Sequence, residues 1–155
     1  MEAVWTSAVA VAGTLLGSVL TYAFQRLAAG RSELFARAEE LRKERVATYS
    51  GYAAAVEEYR HGQATRWYVR AERPDGEAYP RVRDEAHRLR TAARQALYRV
   101  KLVTDAPDVV LAAERAYRST WDLSNAADQR EHDTRDESAR RAIEEFVSRA
   151  APLVR

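Results

Sequence analysis

The 155-residue chain carries 25 Lys and Arg against 23 Asp and Glu, a formal net charge of +2, and contains no cysteine. That composition excludes disulfides, thiolate metal sites and thiol nucleophiles. With only 6 Gly and 4 Pro, abundant Ala, Arg and Glu, and no alternating β-branched runs, it predicts an all-α fold.

In chain order, the first element is the uncharged stretch between Glu2 and Arg26, AVWTSAVAVAGTLLGSVLTYAFQ. As a helix it rises about 34 Å, matching a hydrocarbon core of roughly 30 Å with a modest tilt. Residues 1–25 are therefore expected to form a transmembrane helix in a lipid bilayer. The hydroxyls of Thr6, Ser7, Thr14, Ser18 and Thr21 can bond to carbonyls one turn earlier. A cleaved signal peptide is the alternative, but Glu2 occupies the n-region and Leu27-Ala28-Ala29 is a poor cleavage site. Arg26, Arg31, Arg37, Arg42, Lys43 and Arg45 follow the span and no basic residue precedes it. Retention of positive charge on the inner side then predicts an outward N-terminus, with the bulk of the chain in the cytoplasm beneath the cytoplasmic membrane.

Within the span, Gly13 and Gly17 are flanked by a stripe of small residues, Ala10, Thr14, Ser18 and Thr21. Small residues let helix backbones approach in lipid, so the stripe is the candidate oligomerisation surface for a homo-oligomer. The same Gly-x-x-x-Gly pattern also arises by chance in apolar segments. Trp5, Tyr22 and Phe24 suit interfacial anchors.

Residues 26–45 read as a helical juxtamembrane stalk with a stripe at Leu34, Ala38 and Leu41. A five-residue step then leads to a second stripe at Val46, Tyr49, Tyr52, Val56 and Tyr59, which marks the start of a bundle over residues 46–155. A helix from Arg26 to Arg73 is about 70 Å long, whereas the later helices are each about 25–35 Å. The stalk is thus expected to be exposed as a solvated single helix, or to pair with a copy of itself as a coiled coil.

The Arg73-Pro74-Asp75-Gly76 turn ends the first helix, and a second begins near Pro80. Thr104-Asp105-Ala106-Pro107 announces a third, running toward Gln129. Thr134-Arg135-Asp136-Glu137 fits a capping box for a fourth, which ends before Pro152. Steps of three and four at Tyr79, Val82, Ala86, Leu89, Ala93, Ala96, Val100 and Val103, at Val110, Ala113, Tyr117 and Trp121, and at Ile143, Phe146, Ala150 and Leu153 predict a bundle of about four antiparallel helices. Its core is expected to hold Tyr49, Tyr52, Tyr59, Trp67, Tyr68, Tyr79, Tyr98, Tyr117, Trp121 and Phe146, with the tyrosine hydroxyls reaching the bundle edge.

Charge is distributed unevenly. From Arg81 to Lys101 there are seven basic and two acidic residues, whereas from Asp105 to Arg149 there are seven basic and eleven acidic. The plain reading is mutual attraction of the second helix and the last two across the bundle. A sharper one uses Arg83, Arg90, Arg94 and Lys101, which share one stripe and could contact phosphates of nucleic acid or of lipid headgroups. No DNA-reading motif accompanies them, so direct nucleic-acid binding stays open and specific base recognition is not expected.

Catalytic motifs are absent: there is no phosphate-cradling loop, no HExxH and no nucleophile elbow. No catalytic residue and no cofactor are expected. Adjacent carboxylates such as Glu39-Glu40, Glu57-Glu58 and Glu144-Glu145 point about 100° apart on a helix and do not converge. The sole conceivable metal cluster is Glu131-His132-Asp133 with Asp136 and Glu137, set against a solvated loop, and no metal site is assigned.

Three segments carry a family resemblance: VAVAGTLLGSVLTYAFQRLAAGR, ERVATYSGYAAAVEEYRHGQATRW and VTDAPDVVLAAERAY. In order and spacing they resemble KilB-type proteins of actinobacteria, small membrane-anchored helical proteins, over nearly the whole chain. The resemblance implies a non-enzymatic role in conjugative plasmid transfer and spread between mycelial compartments, alongside other membrane transfer proteins and a DNA translocase. Two other readings stand beside it. One is a membrane-tethered binding or regulatory module that contacts DNA or anionic lipid through the basic stripe. The other is a metal-dependent helical-bundle enzyme.

Overall fold

The computed structural model describes residues 35–155 and Tyr22 in full and, for residues 2–21 and 23–34, the helical course of the backbone alone. The fold is all-α. Four helices follow in order: α1 (Glu2–Glu72), α2 (Ala78–Val103), α3 (Pro107–Asp122) and α4 (Gln129–Ala150), with short 3-10 turns at Leu123–Asn125 and Ala151–Val154. The residues group into two units, 1–41 and 42–155. The expected span over residues 1–25, with its stripe at Ala10, Gly13, Thr14, Gly17, Ser18 and Thr21, lies outside the residues described in full. Among the described residues no helix is long and apolar enough to cross a membrane.

In the second unit the helix boundaries follow local chemistry. α1 stops at Glu72 because Pro74 cannot continue the ladder, and the turn closes with the Gly76 amide donating to the Arg73 carbonyl at 3.1 Å. α3 starts with Ala106 as an extended cap and Pro107 in its first turn, where a missing N–H removes no helical bond. It ends at Asp122, earlier than the expected Gln129. The start of α4 also differs from expectation. The cap is Asp128, whose side chain accepts from the Glu131 amide at 2.8 Å, while Glu131 Oε2 accepts from the Ala127 amide at 2.7 Å. That carboxylate reaches back one residue beyond the cap, a close variant of a capping box. Thr134, the expected cap, lies inside the helix, bonding back to the Arg130 carbonyl.

The core forms where four apolar stripes meet. α1 supplies Tyr49, Tyr52, Val56 and Tyr59; α2 supplies Leu89, Ala93, Leu97 and Val100; α3 supplies Val109, Ala112, Ala113, Ala116 and Tyr117; α4 supplies Ala142, Ile143, Phe146 and Ala150. The division of labour is steric. Alanines on α3 leave room for the rings of α1, so large side chains of one helix fill the spaces left by small ones on the next. Phe146, fully buried, packs edge-to-face against Tyr52 with centroids 4.8 Å apart and against Tyr49 at 6.1 Å.

The aromatic set is smaller than the spacing implies. Tyr68, Tyr98 and Trp121 are exposed at 44, 52 and 42%, and Tyr79 is half-buried. Nor do the core hydroxyls reach the edge. Tyr52 donates to the Ala113 carbonyl at 2.6 Å in the interior, and burial raises its phenol, like that of Tyr59, above the usual range. The hydroxyls of Tyr49 and Tyr117 are buried with no hydrogen-bond partner. Each such orphan costs about 1–3 kcal/mol, offset by the apolar area its ring buries.

Candidate functional site

The basic stripe lies along the edge of α2 that borders α3. Steps of seven residues turn a helix by only about 20° short of two turns, so Arg83, Arg90, Arg94 and Lys101 stay on one side of α2. Two of the four are engaged with α3. The Arg90 guanidinium sits over the Trp121 ring, 3.7 Å from its centroid. Lys101 Nζ lies 2.6 Å from Glu114, whose carboxylate also accepts from Arg118 at 3.1 Å. The Lys101 hydrogen bond holds the Glu114 carboxyl below the usual range. Arg83 has only a long contact with its neighbour Asp84, at 3.4 Å, and Arg94 is exposed. Thus the Trp121 ring, 42% exposed, is covered on one face by a guanidinium.

A second polar cluster lies outside the residues that the sequence singles out as a site. α1 continues its buried register past Tyr59 to Gln63 and Trp67, and these two side chains grip the connection between α3 and α4. Gln63, only 3% exposed, donates through Nε2 to the Trp121 carbonyl and to Ser124 Oγ, each at 3.1 Å. Trp67 Nε1 donates to the Ala126 carbonyl at 2.9 Å. Two of these bonds give donors to the Trp121 and Ala126 carbonyls, which lie where the chain leaves α3 and approaches α4. The signal was present in the sequence, since a glutamine midway between Tyr59 and Trp67 at steps of four occupies a core position.

Arg60 completes the cluster. Its side chain is 11% exposed, it binds Glu57 at 2.6 Å within α1, and it pairs with Asp136 on α4. The pairing raises the guanidinium still further, through Glu57 first and then Asp136, and the same bond lowers the Glu57 carboxyl.

The acidic residues around His132 are dispersed into separate tasks. Glu131 caps α4 and binds Arg135 at 2.6 Å; Asp136 binds Arg60; Glu137 binds Arg140 and Arg141 at 2.9 and 2.7 Å. His132 is 2% exposed and stacks against Trp67, and of these acidic side chains only that of its neighbour Asp133, which also accepts from Gln129, lies beside its ring, 3.4 Å from Nδ1. Among the described residues no group of three His, Cys, Asp or Glu side chains is placed to hold a metal ion.

The residues forming this core, seam and clasp all fall within one family match. Residues 46–154 match the KilB plasmid transfer protein family. No curated protein and no solved structure matches the chain. With the match covering all four strips of the bundle core, the chain belongs to the KilB plasmid transfer protein family.

Proposed function

We propose that this protein is a non-enzymatic, single-pass membrane component of an assembly for conjugative plasmid transfer and intramycelial spread. The observation that carries the reading is the family match over residues 46–154. In this reading residues 1–25 anchor the chain in the cytoplasmic membrane, residues 26–45 form the stalk, and the bundle stands in the cytoplasm as a docking surface for other membrane transfer proteins and a DNA translocase. Support for the anchor is the uncharged run from Ala3 to Gln25, and support for its orientation is the set of cations that begins at Arg26. Self-association rests on Gly13 and Gly17, whose spacing suits close helix contact in lipid.

Deleting the gene in a plasmid-bearing host and scoring transfer to recipients tests the role. Loss of spread, restored by the intact gene, is the expected result; undiminished spread would overturn it. Carbonate-washed membranes should retain the protein, and cross-linking in them should give oligomers that Gly13→Ile or Gly17→Ile weakens. Release into the wash would remove the anchor, and identical monomers in both variants and parent would remove the self-association.

A further inference from the structure

The outer face of α2, from Arg94 near its α3 edge round to Arg99 beside α1, has an unusual make-up. From Ala86 to Thr104 the chain contains Arg88, Arg90, Arg94, Arg99 and Lys101 and no acidic residue. Three of these cations have partners: Arg88 with Glu85, Arg90 on Trp121, and Lys101 with Glu114. Arg94 and Arg99 are exposed and have no such contact. Between and beside them Tyr98 is 52% exposed and Leu102 is 85% exposed. Steps of four advance a helix by about 40°, so Arg94, Tyr98 and Leu102 occupy one outward strip, with uncharged Thr91 and Gln95 alongside it.

We propose that this strip, Arg94, Tyr98, Arg99 and Leu102, is a docking surface for an anionic lipid bilayer. Two observations choose that partner. The excess of cations without a carboxylate complements a negative surface. The side chains between the cations are a tyrosine and a leucine, an amphipathic ring and an aliphatic group that gain from entering the headgroup and acyl boundary and gain little from a phosphate backbone. The strip is also placed at the end of the bundle where α1 enters it, since Arg99 lines a hollow with Ala47 and Thr48. The proposal goes beyond the transfer role and does not depend on it. Its residues differ from the stripe of Arg83, Arg90, Arg94 and Lys101, of which Arg90 and Lys101 contact α3.

The absence of cysteine makes the test clean. Gln95→Cys places one polarity-sensitive fluorophore on the strip of the full chain, and Ser148→Cys places one on the exposed side of α4 as a control. Each protein is combined with vesicles of phosphatidylcholine, alone or mixed with phosphatidylglycerol. The label at position 95 should shift to the blue and be quenched from the lipid chains only in the anionic vesicles, and should return to its aqueous emission in high salt. Arg94→Gln with Arg99→Gln should lower the ratio of buried to aqueous label about 30-fold, taking roughly 1 kcal/mol per basic residue. Leu102→Ser should reduce quenching with the charge unchanged. An aqueous label at 95 in anionic vesicles, an equal response in phosphatidylcholine, or an equal response at 148 would each overturn the proposal. So would a response to duplex DNA in place of lipid. Vesicle flotation after a carbonate wash reports the anchor separately, so the two readings fail independently.

Discussion

The indole of Trp67 lies against the imidazole of His132, ring centroids 4.4 Å apart and planes 29° from parallel. The stack fixes α1 to the first turn of α4, while the indole N–H reaches across to the Ala126 carbonyl just before that turn. One side chain therefore holds both the helix and the loop that leads into it.

Trp67→Phe keeps an aromatic face for His132 and loses the hydrogen bond, and should lower stability by about 1–2 kcal/mol. Trp67→Ala removes ring and bond together, for about 3–5 kcal/mol. Urea unfolding followed by circular dichroism measures both; equal losses would show that the ring face contributes nothing beyond the donor.

Arg60→Met leaves Asp136 without its cation in a partly buried position. A loss of about 1–3 kcal/mol is expected, between the values for exposed and fully buried pairs. Asp136→Asn in the Arg60→Met background should recover part of it. A double-mutant cycle reads the coupling, and strict additivity would mean that the pair is not energetically linked.

Glu57, Glu114, Glu131 and Glu137 all have carboxyls held below the usual range. The causes, in order, are Arg60; Lys101; the Ala127 amide, then Arg135; and Arg141, then Arg140. A carboxylate lowered in the folded state contributes its full stability above the unfolded pKa, about 4.3, and loses it as pH falls through the folded value. The thermal midpoint should therefore change little with these groups between neutral pH and about 5, and fall below about 4.3. Glu57→Gln should flatten that acid limb; a midpoint that rose on acidification would contradict the assignment.

Phe146→Ala opens a cavity among Tyr49, Tyr52 and the α3 alanines, and should cost about 3–5 kcal/mol by chemical denaturation. Phe146→Leu, which refills much of the volume, should cost less than half as much.

Arg90→Gln removes the cation over Trp121. About 0.5–1 kcal/mol of stability should go with it, and the tryptophan emission should move to the red as water replaces the guanidinium. Unchanged emission would place Arg90 elsewhere in solution.

Much of the bundle was legible because helical spacing is local. Ala86, Leu89, Ala93 and Val100 are buried as their steps of three and four require, and so are Tyr49, Tyr52, Val56 and Tyr59. The steps of three and four select Ala96, which is half-buried, where the fold buries its neighbour Leu97. The misplaced start of α4 has a simple cause: Asp128 with Glu131 and Thr134 with Glu137 present nearly the same capping pattern six residues apart, and only tertiary structure chooses between them. In the fold, Gln63 and Trp67 bond to the α3–α4 connection just before the Asp128 cap. Trp121 departs from its expected core position, and the cation that covers it comes from another helix. Helical spacing places Arg83, Arg90, Arg94 and Lys101 on one side of α2, yet a sequence does not state which of these cations a neighbouring helix will contact.

The bond from Arg42 Nη1 to the Val154 carbonyl, at 3.2 Å, joins residues 112 positions apart and shows how late this bundle can close. A ribosome adding about 5–20 residues each second needs on the order of ten seconds to pass from Tyr59 to Phe146. Throughout that interval the aromatic stripe of α1 has been made while the last of the helices that cover it, α4, has not. Until α4 emerges the nascent chain lacks Phe146, the ring that packs on Tyr49 and Tyr52, although Tyr52 and Tyr59 can already meet Ala113 and Tyr117 of α3.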